Sequence, residues 1–175
     1  MYLEEFNMKD YKFIEADNSH YKYMGRIDFE NSKTPTIIYA GSMIKIKFSG
    51  TSLKVALKNY HNHYENAIGF IIDNEIEDKV VIKEHYKDIV IDIAEDLEDK
   101  LHDLILYKRS DSAHYFDFYG IIIDKDSYTE EAKQKYNRRI ECFGDSVSAG
   151  EVSEALDYVG KVDPEGHEGI YSNSW

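Results

Sequence analysis

The sequence predicts a mainly β protein, an antiparallel β-sandwich of the jelly-roll kind, and three observations carry that reading. Short apolar runs of period two recur from about Tyr11 to Asp124, separated by polar or Gly/Asn/Asp punctuation. No convincing helical period stands among them. Fifteen Tyr and eight Phe against one Trp suit strands and aromatic surfaces better than a helix bundle. Strand signals at such short spacing lead to a sandwich or jelly roll.

In chain order, Met43-Ile44-Lys45-Ile46-Lys47-Phe48 alternates, Ser49-Gly50-Thr51 turns the chain, and Leu53-Lys54-Val55-Ala56-Leu57-Lys58 alternates again. This predicts a hairpin with one face in the core and one in water. Gly69 to Ile72 and Val80 to Ile82 are the next expected pair, turned by Asp73-Asn74. Ile89 to Ala94 and His102 to Lys108 make a third, joined by the acidic Glu95-Asp96-Leu97-Glu98-Asp99. Tyr115 to Ile123 is longer and apolar, suited to the middle of a sheet. There is no internal repeat and no low-complexity segment.

At about Asp124 the character changes. Residues 125–137 are polar and rich in Glu, Lys and Gln, which reads as a linker with a helical turn or two. Arg138-Arg139-Ile140-Glu141-Cys142-Phe143 then reads as a short strand ending abruptly in Gly144-Asp145-Ser146. From Val147 to Trp175 the chain is polar and Gly-punctuated and builds no further strong strand. The expected division is therefore a sandwich over 1–124, a linker over 125–137, and the incomplete opening of a second domain over 138–175.

Bulk properties narrow the function. The 175 residues can bury one good core, or one core and a fragment of a second. A hydrophobic fraction of 42% and a charged fraction of 31% are ordinary for a folded soluble protein. Only two Pro and ten Gly argue against a disordered or fibrous chain. A net charge of −13, from 34 acidic against 21 basic side chains, repels phosphate backbones and anionic membranes. Nucleic acid and membranes are thus not expected as partners, while a neutral polysaccharide is indifferent to the charge. The single cysteine, Cys142, excludes an internal disulfide and leaves the redox compartment open. Met1-Tyr2-Leu3-Glu4-Glu5-Phe6 carries acids where a signal peptide carries basic residues, and no run approaches transmembrane length. The chain reads as soluble without an export signal of the usual kind, although a trimmed signal would look the same.

Gly144-Asp145-Ser146 is the sharpest chemical feature. A glycine at the carboxyl end of a strand lets the chain turn tightly. A serine just past that turn stands at the sheet edge, where its hydroxyl can meet a substrate and its own N–H can face a developing oxyanion. Gly-Asp-Ser is also an ordinary turn sequence, so its surroundings decide its meaning.

The stretch Arg138-Arg139-Ile140-Glu141-Cys142-Phe143-Gly144-Asp145-Ser146-Val147-Ser148-Ala149-Gly150-Glu151 resembles the first block of SGNH (GDSL-type) hydrolases. More narrowly, the arrangement is similar to carbohydrate esterase family 2, in which a jelly-roll domain precedes an SGNH domain that opens with basic residues, a strand and Gly-Asp-Ser. Tyr171-Ser172-Asn173-Ser174-Trp175 is similar to that family's segment leading into the first catalytic helix. Arg26-Ile27-Asp28-Phe29 and Phe48-Ser49-Gly50-Thr51-Ser52-Leu53 fit its sandwich.

The resemblance implies a serine esterase that deacetylates plant polysaccharides of the acetylxylan or glucomannan kind. Ser146 would be the nucleophile and its backbone N–H an oxyanion donor, with no cofactor required. It also implies an extracellular location; without it the chain reads as cytoplasmic. Ser148-Ala149-Gly150 depart from the Cys-Gly pair that often follows in the family. The family's Gly and Asn oxyanion donors and its histidine base lie further downstream, beyond Trp175. A serine without a base is a poor nucleophile, so these 175 residues alone are expected to be inactive.

Other candidates have plainer readings. His167, in Asp163-Pro164-Glu165-Gly166-His167-Glu168, reads as a solvated loop histidine rather than a substitute base. His61-Asn62-His63 could face two imidazoles to a zinc ion, but no third ligand stands at a supporting spacing. Glu95 to Asp99 lacks the spaced oxygens and glycine of a calcium loop and reads as a solvated turn. Tyr60, Tyr64, Tyr115, Phe116, Phe118 and Tyr119 could include a sugar-stacking platform, although most sandwich aromatics are core or cross-strand pairs. Cys142 reads as structural. Two other functions stay open: a non-catalytic carbohydrate-binding sandwich, and a structural or oligomerisation module. The sugar, the acetyl position and the oligomeric state are not legible.

Overall fold

Alternating side chains give each strand an apolar face, and two rows of such faces meet in one core. In a computed structural model, residues 9–61, 65–133, 138, 140, 141, 143–145, 148, 160 and 161 are described. The strands are β1 Tyr11–Glu15, β2 Lys22–Met24, β3 Ile27–Asp28, β4 Thr36–Ile37, β5 Met43–Gly50 and β6 Leu53–Tyr60. They continue with β7 Asn66–Ile72, β8 Ile76–Ile82, β9 Lys87–Ala94, β10 Lys100–Lys108, β11 Tyr115–Asp124 and β12 Thr129–Glu130. Two six-stranded sheets result. One runs β3-β4-β11-β6-β9 with β1 also on β11; the other runs β12-β5-β10-β7-β8 with β2 also on β5. Every pairing is antiparallel. Among the described residues no helix is long and apolar enough to cross a membrane.

Leu53, Val55, Leu57, Phe118, Ile121 and Ile123 of the first sheet close on Ile46, Phe48, Ile68, Ile72 and Leu104 of the second. Each such side chain contributes about 1.5–3 kcal/mol by leaving water, largely offset by lost chain entropy. In β11 the alternation is interrupted at a bulge, where Phe118 faces Leu57 and Gly120 faces Ala56. The extra residue lets Phe116 and Phe118, then Ile121 and Ile123, all point inward. Gly120 sits at φ +146, and a Cβ there would lie 2.1 Å from the Ile14 carbonyl oxygen of β1. No other residue fits that approach.

The sandwich is as the sequence predicts, but two expected strand pairs are not pairs. β5 lies in the second sheet and β6 in the first, so Ser49 to Ser52 carries the chain between sheets rather than around a hairpin. The Asp124 carboxylate, at the end of β11, organises this crossing. Oδ2 accepts from the Thr51 N–H at 2.5 Å and the Thr51 hydroxyl at 3.0 Å, and Oδ1 accepts from the Ser52 hydroxyl. Likewise β9 and β10 belong to opposite sheets. The acidic run between them is pinned by Leu97 N–H donating to Thr51 O at 2.9 Å, and by the buried His102 ring beside Glu98 O at 2.8 Å. The β7–β8 hairpin is as expected, with Asp73 and Asn74 both at φ 57.

Thr129 and Glu130 pair with Phe48 and Lys47 of β5, and Ala132 is buried. The sandwich therefore extends into residues that read as linker, because the β5 edge beyond β2 is open and a short strand closes it.

Candidate functional site

Of Gly144-Asp145-Ser146, the first two are described; Ser146, the predicted nucleophile, lies outside the described residues, as do Cys142, His167, His63, Tyr64 and Tyr171 to Trp175. A Cβ on Gly144 would lie 2.1 Å from the Ser148 hydroxyl, so glycine is needed there for close approach. Phe143, just before Gly144, is 78% exposed and forms no strand pairing among the described residues. The Arg26 guanidinium lies 5.8 Å from its ring and 5.7 Å from the ring of Tyr39. The two sequence phrases that carry the family resemblance, one at Arg26 and one at Phe143, thus touch.

A second constellation forms on the outer face of the first sheet. Tyr60 and Tyr115 are cross-strand partners of β6 and β11, and their rings stack at 4.7 Å with an interplanar angle of 15°. Tyr86 meets Tyr60 edge-on at 5.2 Å. His85 packs on Tyr86 at 4.1 Å and on His61 at 4.4 Å. Together with Ala113 these residues line an open cleft of about 250 Å³. The hydroxyls beside it are anchored: Tyr60 donates to Asp117 at 2.9 Å, and Tyr119 to Asp88 at 2.7 Å. Burial first, and then these carboxylates, hold both phenols well above their ordinary range.

Local sequence explains how the cleft is held. Residues 83–86 connect β8 to β9 and so pass from one sheet to the other. Asn59, fully buried on β6, donates from Nδ2 to Glu84 O at 2.6 Å, while its own carbonyl accepts from the Tyr86 N–H at 2.9 Å. Tyr86 is thereby fixed at φ 52, in the left-handed region that crowds an aromatic side chain. The His61 N–H donates to His85 Nδ1 at 3.1 Å, so that nitrogen carries no proton. Desolvation, and then neighbouring His61, hold the His85 imidazole below its ordinary value.

Several sequence candidates separate here. Phe116 and Phe118 are core residues and take no part in a surface platform. Tyr60, Tyr115 and Tyr119 are half-buried on the outer face. His61 meets His85, and no group of three or more metal-ligating side chains forms among the described residues. His85 and Tyr86 were not predicted; they sit in a short connection whose composition carries no periodic signal. Buried His102 places Nδ1 2.7 Å from Asp73 Oδ2 in a hydrogen bond and packs on Phe48, which ties the β7–β8 turn to the acidic loop.

The antiparallel sandwich is followed along the chain by Gly144-Asp145-Ser146. The family model for the carbohydrate esterase 2 N-terminal domain matches residues 23–130. The chain belongs to that family. Among curated proteins none matches it significantly. Among solved structures it is similar to a family two carbohydrate esterase from Cellvibrio japonicus, at 20% identity and TM-score 0.70, covering 81% of this chain and 41% of that one. An acetyl xylan esterase from Butyrivibrio proteoclasticus gives 17% identity and TM-score 0.70, over 82% of this chain and 39% of that one. A family two carbohydrate esterase from Clostridium thermocellum, crystallised with cellohexaose, gives 24% identity and TM-score 0.66, over 75% and 39%. These likenesses establish the fold, and the chain spans about two fifths of each structure.

Proposed function

We propose that these residues are the N-terminal portion of an acetyl esterase that deacetylates plant polysaccharides of the acetylxylan or glucomannan kind. The carrying observation is the family match over residues 23–130, followed shortly by Gly144-Asp145-Ser146. In this reading the sandwich precedes an SGNH-type hydrolase domain that opens near Arg138. Ser146 Oγ attacks the acetyl carbonyl, the alcohol of the sugar leaves, and water then releases acetate from the acetyl-serine. The Ser146 N–H supplies one oxyanion donor. The histidine base and further donors come from downstream sequence. Two comparisons support the substrate class: one similar structure is an acetyl xylan esterase, and another is a two-domain esterase active on acetylated mannans.

The Arg26 guanidinium, 5.8 Å from the Phe143 ring, brings the sandwich against the residue that precedes Gly144-Asp145-Ser146 in sequence, which supports the reading. The experiment is active-site labelling. A fluorophosphonate should add one phosphonyl group to the protein carrying its downstream sequence, on the tryptic peptide holding Ser146. Labelling elsewhere, or undiminished labelling of Ser146→Ala, would refute the assignment.

A further inference from the structure

We propose that the ring cleft of Tyr60, Tyr86 and Tyr115, with His61 and His85 at its rim, is a glycan-docking site in its own right, separate from the ester-cleaving serine and made for the face of a neutral pyranose chain.

Three observations lead there. The first is strain without a packing reason. Tyr86 is 64% exposed, so it adds little to the core, yet it is held at φ 52 by the hydrogen bond from its N–H to Asn59 O. A bulky residue kept in that region on a surface marks a functional position better than a structural one. The second is the form of the cleft. It is open, about 250 Å³, and walled by rings from three different segments, β6, β11 and the β8–β9 connection. It is too small and too open to enclose a cofactor, and suits one or two units of a longer chain lying across it.

The third is its chemistry. Ring faces pair with the C–H face of a pyranose, while phenol and imidazole edges offer hydrogen bonds to its hydroxyls. A proline-rich peptide also lies on aromatic ridges, but it offers few groups for so polar a rim. Asp88 and Asp117 stand behind the tyrosines and the chain carries a net charge of −13, so an anionic ligand is disfavoured. The choice of ligand rests on the polysaccharide reading above; the location of the site does not.

The test is affinity electrophoresis of the 175-residue chain in native gels containing unacetylated glucomannan or, separately, unacetylated xylan. Neither polymer carries an ester, so binding is scored independently of Ser146 and of any hydrolysis. The chain should be retarded by at least one polymer. Tyr86→Gly should weaken retardation at least tenfold while raising the melting temperature, because glycine relieves the strained backbone. Tyr86→Phe, which keeps the ring face, should retain most of the binding. Ser146→Ala should bind as the parent does. Absence of retardation in both polymers overturns the proposal, as does a Tyr86→Gly chain that melts normally and binds like the parent. If Tyr86→Gly binds normally and fluorophosphonate labelling of Ser146 succeeds, the esterase reading stands and the second site falls.

Discussion

Asn66 Nδ2 donates to Asn59 Oδ1 at 2.8 Å, between two side chains with no solvent exposure. Asn66 also reaches Tyr115 O at 3.2 Å, and Asn59 reaches Glu84 O at 2.6 Å. One buried amide pair thus links β6, β7, β11 and the connection that carries Tyr86. Removing one partner leaves the others buried and unsatisfied, which is the expensive case. Asn59→Ala should cost about 2 kcal/mol, roughly 6 °C in melting temperature for a chain of this size. Amide exchange at Tyr86 should accelerate in the same variant; unchanged protection would show that the pair does not hold the loop.

Gly120→Ala places a Cβ 2.1 Å from Ile14 O, against backbone that cannot swing aside. It should cost about 3 kcal/mol and free β1 from β11. Denaturant unfolding and exchange across Tyr11 to Glu15 check this, with a loss below about 1 kcal/mol counting against the bulge.

Asp124 gathers Ser52 and Thr51 at the crossing between sheets. Burial pushes its carboxyl up, but the donors from Ser52 and Thr51 outweigh this and hold it below the usual range. The folded value lies below the unfolded one. Its stabilisation is therefore complete above about pH 4 and lost as pH falls through the folded value. Asp124→Asn should cost about 1–2 kcal/mol at neutral pH and flatten the acid limb of the melting profile. An unchanged acid limb would contradict the clamp.

Lys108 is fully buried on β10, with Nζ donating to Ser110 O and, at 2.8 Å, to Asp111 O. Desolvation lowers its pKa to about 7, against a smaller opposing pull from Asp111. The unfolded lysine titrates near 10.4, so between these values the unfolded chain binds the extra proton and stability rises with pH. Below about pH 7 that cost is constant. Wild type should gain on the order of 3 kcal/mol between about pH 7 and 9.5 relative to Lys108→Met, whose curve lacks this rise. Above that range the raised phenols of Tyr60 and Tyr119 act with opposite sign. Parallel curves for the two proteins would contradict a neutral buried amine.

The fold was legible where local pattern decides it. The long run of β11 announces a central strand, and Asp73-Asn74 supplies the two left-handed residues of the β7–β8 hairpin. Partner choice was not legible. Alternation in β5 and β6 states which face goes inward, not which strand lies alongside, and the crossing is set by Asp124, distant in sequence. The candidate site divides in the same way. Gly144-Asp145-Ser146 and, singly, the aromatics Tyr60 and Tyr115 can be picked out by residue type, but not that Tyr60 and Tyr115 stand side by side. Tyr86 cannot, because its meaning lies in a φ angle and a buried asparagine.

We propose Ser146 as the nucleophile of a polysaccharide acetyl esterase. Its most direct test is acetate release from acetylated xylan and acetylated glucomannan, measured for the protein with its downstream sequence and for Ser146→Ala. The first should release acetate, and kcat should fall at least 10³-fold in the second. No release from either polymer, or equal release by Ser146→Ala, would contradict it.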